Sequence, residues 1–219
     1  AAKPSAQGMP LFTRWDCTHW QKAASPAVMG EASRRALIRA FPYLPVEEEG
    51  RLHDPRLREN FFDRVFGYHR LRALFRSDWT RGDLVRFHTG EKYLLLSHEP
   101  AGYEELGRLV GIQKELARDE LETRYRERYM KALGVLATRA KHVNVLQHLM
   151  GFLKHDIGAD DKSELLDAIE TYRRGEYPLV VPLKLLQHHR NPESTLRRGD
   201  ADAGAEPRVI VQQLNLAPD

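Results

Sequence analysis

The sequence predicts an all-α fold, a helical bundle carrying a short, partly irregular N-terminal arm. Three observations predict it. From Leu57 onward, apolar residues recur at three- and four-residue spacing, the period of a buried helix face. Opposite charges stand three or four apart through "ELARDELETRYRERYMKAL", which supports a long exposed helix. Start and stop signals punctuate the rest: a Thr80–Asp83 capping-box pattern, and glycines at 111 and 175.

Taken in order, Ala1 to Ser25 mixes Pro, Ser and Gly with scattered aromatics, the composition of loops or an exposed arm. A helix is expected around Val28 to Phe41. Prolines and a glycine in "PYLPVEEEGRLHDPR" then break the periodicity, dividing an N-terminal arm over 1–50 from a helical domain over 51–219. In "LRENFFDRVFGYHRLRALF" the spacing groups Phe61, Val65, Tyr68 or His69, and Leu71 to Phe75. Phe61, Phe62 and Phe66 accordingly read as core. One helix is expected through "LVRFHTGEKYLLLSH", another in "GYEELGRLVG", and a solvent-facing one in the charged stretch. "SELLDAIETYRRG" opens after Asp160 and Asp161 and closes at Gly175. Pro178 and Pro182 hold the chain extended before a last helix, with Pro182 as its first residue. "NPESTLRRGDADAGAEPR" reads as a flexible loop ahead of a short apolar end piece.

Hydrophobic residues make up 42% and charged residues 30% of the 219, the balance of a soluble cytoplasmic protein. No apolar run approaches the roughly 18–20 residues of a membrane span. A single cysteine, Cys17, excludes an internal disulfide framework or a multi-cysteine metal site. The net charge of +3 permits a nucleic-acid ligand without requiring one, so the placement of charge matters more than its sum.

"KHVNVLQHLMGFLKH" is the most informative stretch. At about 100° per residue, Val145, Leu146, Leu149, Met150 and Leu153 form an apolar arc. Lys141, Asn144, His148, Gly151 and His155 line the opposite side. A solvated face would account for such a stripe, yet it usually carries Glu and Lys. Gly151 costs roughly 1 kcal/mol against alanine in a helix and suits a surface that something approaches closely. His142 falls within the apolar arc and reads as a hydrogen-bonded core or capping residue. His88 and Lys92 stand one turn apart and share a face. Tyr172, Arg173, Arg174, Lys184, His188, His189 and Arg190 interleave rings with cations, as phosphate contacts and base stacking on RNA require; cations at a helix end account for them equally. Glycine-rich phosphate loops, HExxH and nucleophile elbows are absent. A metal site from His88, His98, His142 and His148 would need paired carboxylates, and only Glu91 is suitably spaced, three after His88.

"FHTGEKYLLLSH", "YEELGRLV", "ATRAKHVNVLQHLMGFLKH", "KSELLDAIETYRRGEYPLVVPLKLLQHH" and "QQLNLAP" resemble the YbgA family, a bacterial helical domain, from about Phe66 to the C-terminus. "LPVEEEGRLHDPRLRENFFDRVF" resembles the junction to a thiouracil-desulfurase-type iron–sulfur domain. The resemblance implies a module that holds tRNA carrying 4-thiouridine for a desulfurizing domain. That domain binds a [4Fe-4S] cluster through three cysteines, and the context of Cys17, "WDCTHW", does not match. No catalytic residue, metal ligand or cofactor is therefore assigned to this chain. The cluster is expected in an upstream or partner domain, in cis or in trans, so that the chain is a piece of a fusion, a degenerate fusion, or one half of a pair.

The resulting expectation is a helical tRNA- or other RNA-binding module with no membrane association. Its contact residues are Lys141, Asn144, His148, Gly151, Lys154, His88, Lys92, Arg173, Lys184 and His188. Two readings stand beside it. One is a small enzyme acting on nucleotides or RNA, with His148 or His88 as acid–base and Lys92 or Lys141 holding an anion. The other is a protein-interaction bundle.

Overall fold

The computed structural model describes residues 31–76, 78–153 and 157–189, with side chains from Arg35 onward. The chain divides into two units, Ala1–Pro42 and Tyr43–Asp219. In the first unit, helix α1 spans Glu31–Ala40, within the stretch where the sequence placed it. Cys17 and the rest of 1–30 lie outside the described residues, as do the loop and apolar end piece expected after 189.

The second unit opens on a 3-10 turn, Glu49–His53. Helices α2 (Pro55–Leu74), α3 (Arg81–Gly90), α4 (Lys92–His98) and α5 (Pro100–Gly111) follow. Then come α6 (Arg118–Leu133), α7 (Arg139–Leu153), α8 (Ala159–Arg174) and α9 (Val180–His188). The described residues contain no β-strand, and none of their helices is long and apolar enough to cross a membrane. The fold is all-α.

Local chemistry sets the helix ends. Asp54 caps α2 by accepting from the Arg56 and Leu57 amides at 2.8 and 3.4 Å, while Pro55 fills the first turn, where its missing N–H costs nothing. The capping box before α3 forms in full: Asp83 N donates to Thr80 Oγ1 at 3.2 Å, and Thr80 N donates to Asp83 Oδ2 at 2.7 Å. Gly175 ends α8 at φ 90°, a left-handed conformation that glycine adopts without steric cost. Three boundaries differ from expectation. Helix α8 begins at Ala159, so Asp160 and Asp161 lie within its first turn rather than before it. "LVRFHTGEKYLLLSH" is two helices, broken at Glu91. Helix α9 begins at Val180, placing Pro182 third, where a proline still sacrifices no intrahelical bond.

Two apolar clusters organise the unit. The first joins α2 through α6 around Leu71, Leu84, Leu95, Leu106, Tyr125 and Tyr129. The second joins α4 to α7, α8 and α9 around Tyr93, Val145, Leu149, Leu165, Ile169 and Leu183. Helix α4 serves both, sending Leu94 and Leu95 into one cluster and Tyr93 into the other. Only a helix apolar on most sides can do this, which is why "YLLL" is continuous rather than periodic.

Two expected core assignments are corrected. Phe62 and Phe66 are 42% and 37% exposed. The face that α2 buries is Asn60, Asp63, Gly67 and Leu71, because its polar members have partners on other helices and its glycine lets α6 approach. A β-carbon on Gly67 would collide with Leu133 Cδ1 and lie 3.0 Å from Tyr129 Oη. Conversely, the charged helix α6 is not simply solvent-facing. It buries Leu121, Tyr125, Tyr129 and Leu133 along one side and wears its ion pairs, Arg124–Glu120 and Arg126–Glu122, elsewhere. Gly67→Ala is expected to destabilise by about 1–3 kcal/mol through overpacking, despite the roughly 1 kcal/mol that alanine gains in a helix. Equal or higher urea midpoints for the variant would show that α2 and α6 have room to separate.

Candidate nucleic-acid interface

The polar stripe of α7 divides in two. Asn144, His148 and Gly151 are exposed on its outer side, and open space surrounds Gly151, with no atom within 4 Å of where its β-carbon would be. Lys141 instead turns inward, its Nζ donating to the carbonyl of His98 at the end of α4. Lys154 and His155 lie outside the described residues. On α9, Lys184 and His188 are exposed beside a shallow depression. Arg173 is exposed and paired with Glu170 at 2.8 Å.

His88 and Lys92 are not on one face. The break at Glu91 separates them, and His88 is buried with Nδ1 3.1 Å from the Tyr125 hydroxyl and its ring stacked on Tyr103 at 4.8 Å. Burial pushes His88 down to about 4. An imidazole so enclosed is neutral core, beyond the reach of a phosphate. Lys92 is half-buried and rests its ammonium 5.5 Å from the Tyr93 ring centroid.

The concave feature lies elsewhere, at the seam between the two clusters. A cleft of about 1020 Å³ opens between the start of α2, the α6–α7 connection, the start of α7, the end of α8 and the start of α9. Three helix N-termini therefore border it: Pro55 and Arg56 from α2, Thr138 and Arg139 from α7, and Leu179 and Val180 from α9. Each carries a partial positive charge of roughly half a unit in its first turn. Arg56, Arg58 and Arg139 belong to the lining, Arg58 donating Nη1 to the Leu52 carbonyl at 3.3 Å and Arg56 lying 3.9 Å from Asp54. Glu59 and Asp63 add two carboxyl groups. Arg139 lies over the backbone of Gly175, where a β-carbon would fall 2.6 Å from Nη1. The turn that ends α8 thereby also positions this arginine.

Beneath the rim the cleft becomes a network of polar groups. His142 is buried, with Nδ1 2.7 Å from the Tyr172 hydroxyl. Burial, and then the charge of His98, push His142 down to about 4. Burial, followed by the charge of Glu59, pushes Tyr172 up to about 12. Both are neutral at physiological pH. Behind them, His98 is completely buried and its Nδ1 lies 2.7 Å from the Val135 carbonyl. A carbonyl only accepts, so Nδ1 carries a proton. The other nitrogen, Nε2, sits 3.2 Å from Asp63 Oδ2, a contact that is attractive only with a proton on one side of it. Asn60 donates to the Leu133 carbonyl at 2.9 Å. Glu59 is exposed as a residue, yet desolvation of its carboxyl in the cleft, and then the charge of Asp63, raise its pKa.

Of the residues singled out in sequence, His142 and Tyr172 enter this cleft. Asn60, Asp63, His98 and Arg139 were missed as a group. Their signal was Asn60 and Asp63, a polar pair three apart, flanked by the phenylalanines that a bundle helix would normally bury. The histidines weighed as metal ligands do not gather: His142 lines the cleft, His98 is completely buried behind it, His88 packs on Tyr125, and His148 is exposed. Among the described residues, the set within ligating reach of one ion is Asp161, Glu164 and His189.

Fold and site together define an all-helical protein with a cleft of about 1020 Å³, lined by both arginines and carboxyl groups, at the seam of two helical clusters. The family described as "Protein of unknown function (DUF1722)" matches residues 92–195. The chain is 34% identical over 127 residues to "Uncharacterized protein YbgA" of Escherichia coli (strain K12), covering 58% of this chain and 75% of that protein. It belongs to the YbgA family. No solved structure matches it.

Proposed function

We propose that the chain is a cytoplasmic RNA-binding module, with tRNA as its ligand, that presents thiolated tRNA to an iron–sulfur desulfurase domain in cis or in trans. The observation that carries RNA binding is the meeting of three helix N-termini and three arginines on one cleft, a combination that attracts phosphate through both helix dipoles and guanidinium hydrogen bonds. Lys184 and His188 on α9 line a shallow depression that shares Val180 with the cleft and offer contacts for the flanking backbone. Asn144, His148 and Gly151 on the outer side of α7, and Arg173 on α8, would meet a more distant part of the RNA. Lys141 contributes by fixing the start of α7 against α4. The desulfurase partnership rests on the sequence resemblance over residues 44–66, which reaches from the segment before α2 through its first half.

Arg139→Ala is expected to weaken tRNA binding for every sequence tested. The slope of log K against log salt should fall by about 0.7–0.9 for each phosphate no longer neutralised. A triple Arg56, Arg58 and Arg139 to Ala variant that binds tRNA like the parent at several salt concentrations would remove the basis for this reading. A second reading, an acid–base enzyme acting on nucleotides, is favoured by one observation: Glu59, His142 and Tyr172 all have shifted pKa values on the lining of the same cleft. Turnover of thiolated RNA by the iron-free chain would select it.

A further inference from the structure

Phosphate attraction alone would need only the rim of the cleft. Its depth and lining ask for something more. Phe62, Leu136, Tyr177 and Val180 all line it and are all exposed, Tyr177 to 43%. Large apolar surface at the edge of a cleft favours a flat, poorly hydrated group, and Phe62 and Tyr177 each offer a ring face for stacking.

The floor supplies the complement. Tyr172 occupies only Nδ1 of His142, so the Nε2 edge remains for a ligand. When the tyrosine hydroxyl donates to Nδ1, Nε2 bears the proton and becomes a donor. Asn60 commits its amide nitrogen to Leu133, leaving Oδ1 as an acceptor without a partner among the described residues. A donor and an acceptor beneath apolar walls are what the edge of a nucleobase requires, and the arginines above are what its phosphate requires.

We propose that the cleft seats a single unpaired nucleotide, with its phosphate among Arg56, Arg58 and Arg139 and its base stacked on Phe62 or Tyr177 above His142 and Asn60. This builds on RNA binding and names the unit that is bound. A base held within a duplex cannot enter such a cleft without leaving its stack, so the site selects single-stranded, bulged or looped nucleotides. A nucleoside monophosphate carries the same chemistry when free.

Fluorescence anisotropy on the full chain tests this with a labelled single-stranded oligoribonucleotide, the same sequence in a duplex, and competition by the four ribonucleoside monophosphates. Single-stranded RNA is expected to bind at least tenfold tighter than duplex. At least one monophosphate should displace it, while the matching nucleoside and inorganic phosphate each require roughly tenfold more. Phe62→Ala, a change at an exposed side chain, should weaken binding about tenfold. Tyr172→Phe, which releases His142 from its partner, should reorder the monophosphates while leaving the salt slope unchanged. Equal affinity for duplex and single strand, with no monophosphate competing, would overturn the nucleotide seat while leaving RNA binding intact. Monophosphate binding that is lost in the triple arginine variant while RNA affinity stays unchanged would do the reverse, keeping the seat and removing the basis for the RNA module.

Discussion

Glu91→Ala is expected to lower the free energy of unfolding by about 3–5 kcal/mol, the range found when one partner of a buried ion pair is removed. Glu91 is 2% exposed at the break between α3 and α4. It accepts Arg70 Nε at 2.6 Å, Arg70 Nη2 at 2.9 Å and the Tyr129 hydroxyl at 2.6 Å. Burial works to lower the pKa of Arg70, but the hydrogen bonds and charge of Glu91 raise it on balance. Burial and the same charge hold Tyr129 far above its usual range, so that it donates as a neutral hydroxyl. Truncation would strand both donors in the first cluster, where little can replace the carboxylate. Because the Arg70 side chain keeps 30% of its exposure, water reaches part of it and the loss should sit toward the lower end. Glu91→Gln retains the shape and one acceptor and should cost less. Urea unfolding of the two variants checks this; an alanine variant within about 1 kcal/mol of the parent would mean that the ion pair is marginal.

Acidification should be nearly as damaging. His88 and His142 both titrate near 4 in the folded chain, chiefly through burial, against about 6.5 when unfolded. Between those values the unfolded chain binds more protons than the folded one, so stability rises with pH and falls on acidification. The contribution is intact above about pH 6.5 and is lost as pH drops toward 4. Each histidine withdraws about 2 kcal/mol by pH 5 and about 3 kcal/mol by pH 4. Both side chains are more than nine-tenths buried, so solvent screening removes little of this. Urea midpoints measured from about pH 7.5 to 4.5 should therefore fall steeply below about 6.5, and imidazole resonances followed by NMR should show both rings still neutral at about pH 5.5. A flat stability profile across that interval would contradict both assignments.

How much of this was legible in the sequence follows from where each signal resides. Helices α2 and α5 to α9, and the start of α3, announced themselves because capping and periodicity are local, as the Thr80–Asp83 box and Gly175 show, whereas the break that separates α4 from α3 did not. The exposed Asn144, His148 and Gly151 were readable for the same reason, since a face of one helix is a property of one helix. The cleft was not, because its parts come from separate helices and meet only through packing. Asn60 and Asp63 give no local hint of His98, which is 38 and 35 positions away; only the docking of α2 beside α4 joins them. Phe62 and Phe66 misled because hydrophobicity was allowed to choose the buried face, while the close approach at Gly67 and the partners of Asn60 had already determined the orientation of α2.

A cleft assembled from α2 on one side and α7, α8 and α9 on the other has a thermodynamic corollary. Its walls are in register only when both clusters are formed and docked, so any occupant binds the native chain and not the unfolded one. Filling the cleft at about a hundred times the dissociation constant should add about 2.7 kcal/mol to stability, a rise of several degrees in Tm for a domain of this size. The melting transition is thereby a readout of occupancy that needs no knowledge of chemistry. Nucleotides, oligoribonucleotides and cell extracts can be ranked by the heat the protein withstands in their presence.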